Sequence, residues 1–108
     1  MTKFITTLTF AAGLAVGATA ASAQNVGIAT SNPGSLFYNI GTAVANAANA
    51  AGLNTTITPA TSPNQFIPFV NSGGIEFGVA NFQEVAYALT GDAWWSGNVN
   101  ENLRIVGF

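Results

Sequence analysis

Residues 25–52 read NVGIATSNPGSLFYNIGTAVANAANAAG, and the reading of this stretch decides the fold. Val26–Thr30 is a short apolar run suited to a buried strand. Ser31–Ser35 is a polar turn holding Asn32, Pro33 and Gly34. From Leu36 onward, apolar residues recur at Ile40, Val44, Ala47, Ala48 and Ala51, which marks one face of a helix of period 3.6. Gly52 stands where a left-handed C-terminal cap is expected. A strand that feeds a helix through a small polar turn leaves the first helical N–H groups without partners. Together with the helix dipole they favour an anion.

The same grammar repeats downstream. Thr55–Ala60 suits a second strand, with Pro59 near its exit. Thr61–Asn64 is a second polar turn, in which Ser62 and Pro63 have the form of an N-cap and a first helical residue. The helix that follows contains Pro68, so a kink or a shortened helix is expected before Asn71-Ser72-Gly73-Gly74. Ile75–Ala80 reads as a third strand, buried on both faces. Asn81 then caps a third helix, with Glu84 three residues on in the manner of a capping box. The expected apolar face of that helix is Phe82, Val85, Ala86 and Leu89, and Gly91 ends it. Asp92–Asn102 is a loop with Trp94 and Trp95, for which burial as loop anchors is weighed against stacking on a ligand or partner. Leu103–Phe108 reads as a fourth strand. The order β-α-β-α-β-α-β implies an α/β fold with a mainly parallel sheet and helices on both faces. In such a sheet the three strand-to-helix turns share the carboxyl edge, where ligands bind.

Composition narrows the function. The 108 residues include no His and no Cys, and only six charged side chains. The usual general base near neutral pH and the thiolate nucleophile are both missing, and a zinc site lacks its common ligands. Lys3 and Arg104 are the only basic residues, which argues against nucleic acid as a partner. Residues 1–23 read as a secretory signal: a basic Lys3, the apolar run Phe4–Ala18, and Ala21-Ser22-Ala23 as a small-residue cleavage site before Gln24. The run is short of the roughly 20 residues of a membrane span. The formal net charge is −2, and loss of Lys3 with the leader removes one positive charge to leave −3. The mature chain is therefore expected to be soluble and outside the cytoplasm. The apolar strand at the very end suggests a truncated sequence or the opening part of something larger.

These residues resemble the TAXI family of periplasmic solute-binding receptors that serve TRAP-type transporters. The resemblance lies in Gly34-Ser35-Leu36-Phe37-Tyr38-Asn39-Ile40-Gly41 after the first strand, and in Thr61-Ser62 followed by Asn71-Ser72-Gly73-Gly74 and IEFGVA. It continues in Asn81-Phe82-Gln83 before a helix with Tyr87, and in the Trp94-Trp95 loop leading to Leu103-Arg104. Order and spacing carry it across residues 25–108. The sequence departs from the family in Pro33, in Gly74 where an acidic residue is common, and in Pro68. Family members are considerably longer and close two lobes on the ligand, so the resemblance implies that residues 24–108 form an incomplete first lobe. It also implies a glutamate-like or dicarboxylate solute, membrane permease subunits as partners, and no catalysis or cofactor.

The candidate ligand-binding residues are Ser31, Asn32, Gly34, Ser35, Phe37, Tyr38, Thr61, Ser62, Asn81 and Gln83. Phe37 falls off the stripe set by Leu36 and Ile40, so walling a ligand cleft is weighed against packing under a second lobe. Gln83 is expected to point away from an apolar face that includes Phe82. Each polar turn also has a plain reading as a helix cap. An exported hydrolase using Ser31, Ser35 or Ser62 is the rival reading, but no G-x-S-x-G elbow is present. An exported surface protein with no small ligand is the third.

Overall fold

The computed structural model describes residues 24–108; the expected leader, with its expected cleavage site after Ala23, lies outside the described residues. Strand β1 (Asn25–Thr30) is followed by helix α1 (Leu36–Ala50), strand β2 (Asn54–Pro59) and helix α2 (Pro63–Asn71). Then come a two-residue strand β3 (Phe77–Gly78), helix α3 (Phe82–Thr90) and a 3-10 turn at Ala93–Trp95. The three strands form one open parallel sheet in the order β2-β1-β3. The protein is thus an α/β fold.

β1 is the central strand, and its alternating side chains assign the faces. Ile28 and Thr30 point toward α1, where both approach Gly41. Ala29 points to the other face and joins Phe66 and Ile67 of α2 and Ala88 of α3 in the buried core. Val70, Ile75, Ala80, Trp95 and Leu103 pack around that cluster. Helices therefore cover both faces.

β1 and β2 pair over six residues, from Asn25 opposite Asn54 to Thr30 opposite Pro59. The outer edge of β2 is closed by α1: the Asn49 carboxamide accepts the Thr55 N–H at 2.6 Å and donates to the Thr55 carbonyl at 3.1 Å. A side-chain amide here occupies backbone groups that would otherwise template another strand. The end of α1 satisfies its last carbonyls through Gly52, whose φ is +95°. Gly52 N–H donates to Asn49 O and Leu53 N–H to Ala48 O, the pattern expected of a left-handed cap.

Several expectations need correction. The face that α1 buries is not the stripe Leu36-Ile40-Val44. Those residues are 69%, 43% and 51% exposed, while Gly41 and Ala45 are buried. The helix docks through its smallest residues, because only a glycine lets its backbone come this close: a Cβ on Gly41 would overlap the Thr30 Cγ2. The docked face is about one residue, or roughly 100°, round from the predicted stripe.

The third strand is two residues long rather than six, and Phe77 is 44% exposed rather than buried. The N–H of Gly27, which a longer ladder would use, donates at 2.6 Å to Glu76 Oε2. The carboxylate thus stands in for the strand backbone and stops the pairing at Ile28 and Phe77. Leu103–Phe108 forms no fourth strand; Ile105, Val106 and Phe108 are exposed. Phe82 is 67% exposed, so the core contribution of α3 centres on Ala88 instead.

Pro68 does not shorten α2, which runs unbroken for nine residues. Pro68 and Asn64 are both exposed, so the carbonyl that loses its intrahelical partner is on the water side. In the loop, Trp95 packs on the core as an anchor. Trp94 is half exposed and meets Tyr87 edge-on, with ring centres 5.6 Å apart and planes at 88°.

Candidate functional site at the carboxyl edge

Because the strands are parallel, the exits of β1, β2 and β3 share one edge. The last carbonyls of β1 tie them together. Ala60 N–H donates to Thr30 O at 2.7 Å, and Val79 N–H donates to Ala29 O at 2.9 Å. The turn 31–35 therefore lies between the other two. The order β2-β1-β3 also makes the gap between β1 and β3 a topological switch point, since α1 leaves toward one face and α3 toward the other. Crevices open at such points.

The residues in these turns differ in what they have left to offer. Ser35 is the N-cap of α1; its Oγ accepts the Tyr38 N–H at 3.1 Å. The Ser35 N–H donates to Asn32 O, and Asn39 N–H donates to Ser35 O. Among the described residues no acceptor meets the N–H of Leu36 or of Phe37. Ser31 is half-buried and its carbonyl accepts from the Thr30 hydroxyl, while Asn32 and Gly34 are exposed, with Gly34 at φ +86°. Tyr38 is half-buried. Phe37 is half-buried in the row of Gly41 and Ala45, so it belongs to the docking side of α1 rather than standing off the packed stripe as a free wall.

At the second turn, Ser62 is the N-cap of α2 in backbone conformation but makes no side-chain cap bond. The Gln65 Oε1 instead accepts the Thr61 N–H at 3.0 Å. The Ser62 hydroxyl is therefore not committed to holding the helix start. At the third turn, both groups of the Asn81 carboxamide are engaged with Glu84: Oδ1 accepts its N–H at 2.8 Å, and Nδ2 donates to its carboxylate at 2.7 Å. This is a variant of the capping box, with the acidic side chain returning to the cap's amide rather than to its backbone. Gln83 is exposed, as expected, and donates to Tyr87 Oη at 2.8 Å.

Electrostatics separates the three helix starts. α1 and α2 carry no acidic residue in their first turns, so their partial positive charge is uncompensated. α3 has Glu84 there, which already supplies the negative charge. No Lys or Arg lies in any of the three turns, and the Arg104 guanidinium is spent on the carbonyls of Glu101 and Leu103. The donors at this edge are neutral: two backbone N–H groups of α1 and the Ser62 hydroxyl. They suit a carboxylate near the starts of α1 and α2, with Asn81 removed as a direct donor by its own cap. Among the described residues no three His, Cys, Asp or Glu side chains gather as metal ligands.

A shallow apolar cleft of about 480 Å³ lies to one side, between α2 and the end of β2. Thr58, Ala60, Gln65, Phe66, Phe69 and Ile75 line it, and none is among the ten predicted residues. It arises because α2 packs on β1 and β3 and leaves the Thr56–Thr58 side of β2 bare. Phe66 and Phe69, which share the cleft wall, and Gln65 returning to Thr61 are at i,i+3 and i,i+4 spacings that a reading of single turns passes over.

Comparison with protein-family models, with curated proteins and with solved structures gives no match.

Proposed function

We propose that the chain is the opening part of an exported solute-binding receptor of the TAXI type. It takes a small organic anion, glutamate-like or a dicarboxylate, at its carboxyl edge and delivers it to the permease subunits of a TRAP-type transporter. The observation that carries this reading is the pair of uncompensated helix starts, α1 and α2, which follow two strand exits joined by the Ala60–Thr30 hydrogen bond. The order and spacing of the motifs along residues 25–108 support the same class. Binding rather than catalysis fits the Ser35 hydroxyl, which is engaged as a cap, and the absence of His and Cys from the chain.

Thermal melts in the presence of glutamate or succinate test it. A ligand that binds only the folded state raises the melting temperature with its concentration. Both anions should do so, and the neutral diamide of succinate should not. Equal stabilisation by the diamide, or none by either anion, contradicts the reading.

A further inference from the structure

At the opposite, amino edge of the sheet, Gln24 directly precedes β1. It is exposed and belongs to no strand, and it makes no hydrogen bond to another described residue. The first residue held by the fold is Asn25, whose side chain accepts from Asn54 and which stands opposite Asn54 in the ladder. The small-residue motif Ala21-Ser22-Ala23 ends immediately before it. Cleavage there would release a glutamine with a free α-amine and a side chain that no other described residue holds by a hydrogen bond.

We infer that Gln24 is a modification site: once the leader is removed, it closes to pyroglutamate, and the exported chain carries a blocked, uncharged end. The inference rests on the export reading. In the closure, the α-amine nitrogen attacks the side-chain carbonyl carbon Cδ. A bond forms from that nitrogen to Cδ, the Cδ–Nε2 bond breaks, and Nε2 leaves with a proton from the amine as ammonia. No oxidant, reductant or second substrate enters. An α-amine titrates at about 7.7–8.0, so a share of it is unprotonated and nucleophilic at neutral pH. Both reacting groups belong to one residue, which gives the attack the advantage of an intramolecular reaction.

The fold permits the product. The peptide bond from Gln24 to Asn25 is untouched, so the β1 ladder keeps its first pair. The ring replaces an ammonium with a lactam, and the mature chain then keeps its −3 side-chain charge with no positive terminus to offset it. An enzyme that needs a free α-amine finds none. The carboxyl edge lies at the other end of the strands, so the closure leaves the proposed solute site unchanged.

The test uses the 108-residue chain expressed with its own leader in a Gram-negative host and recovered from the periplasm. After incubation in neutral buffer, free amines are dimethylated before digestion, which prevents ring closure during handling from being counted. Chymotrypsin then cuts after Phe37 or Tyr38, since the mature chain has no basic residue before Arg104. The expected N-terminal peptide begins at Gln24, is lighter by one ammonia and carries no α-dimethyl label. The Gln24→Ala chain, handled identically, should take the label on its first residue. A peptide that begins at Gln24 with full mass and a labelled amine overturns the closure and leaves the export reading intact. A peptide that begins at any other residue overturns cleavage after Ala23 and the closure with it, and absence of the chain from the periplasm overturns the export reading.

Discussion

β1 is held differently on its two sides. Toward β2 it makes a six-residue ladder whose far edge is closed by Asn49. Toward β3 it makes a two-residue ladder that stops where the Glu76 carboxylate takes the Gly27 N–H. The β3 side is held by side chains instead: Phe66 lies so close beneath Gly78 that an added Cβ would come within 2.7 Å of its ring. The difference shows that an apolar run with strand composition becomes a strand only as far as its neighbour's backbone groups are free to pair with it. Where a side chain claims one of those groups first, packing must hold the segment.

The contrast is broken most severely at Phe66. Phe66→Ala empties a core site that is 3% exposed and should cost about 3–5 kcal/mol, measured by urea unfolding followed by circular dichroism. Amide exchange should show β3 opening before β2. If β2 opens first, packing is not what holds the β3 side.

The α1 face comes next. Gly41→Val places a branched side chain against Thr30, Ile28 and Val79 and should destabilise by about 3 kcal/mol through overpacking. Leu36→Ser, on the exposed stripe, should change stability by less than about 0.5 kcal/mol. If the two variants exchange ranks in the same melt, the helix is rotated onto the originally expected face.

Asn49→Ala sharpens the β2 side. It removes both hydrogen bonds to Thr55, a residue 6% exposed, and should cost about 1–3 kcal/mol. Faster exchange of the Thr55 amide, with the Ile28 amide little changed, would be the matching signature. The smallest effect belongs to Phe82→Ala, within about 0.5 kcal/mol of the parent because the ring is exposed. A loss comparable to that of Phe66→Ala would return Phe82 to the core.

Much of the fold was legible locally. β1, α1, the Gly52 cap and the capping roles of Ser35 and Asn81 are decided by residues within a few positions of each other. The alternation of strands and helices was enough to place three polar turns on one edge. What was not legible depends on partners distant in sequence. The rotation of α1 follows from how near Gly41 can come to Thr30, and the brevity of β3 follows from Glu76 reaching Gly27 across 49 positions. Phe82 matched the helical period of Val85 and Leu89, yet Ala88 is the residue under which Ala29 lies. At the site, composition marked the turns correctly as polar but could not tell an engaged amide such as Asn81 from an uncommitted hydroxyl such as Ser62.

The proposed solute site puts an anion at the carboxyl edge, at the starts of α1 and α2. A titration of the 15N-labelled chain with glutamate, followed residue by residue in amide correlation spectra, tests it most directly. The Leu36 and Phe37 amides should move first and furthest, with Thr61 and Ser62 following. Asn25 and Asn54, at the amino edge, should stay in place. Amide shifts confined to the amino edge, or no shifts at Leu36 and Phe37 at saturating glutamate, would contradict it.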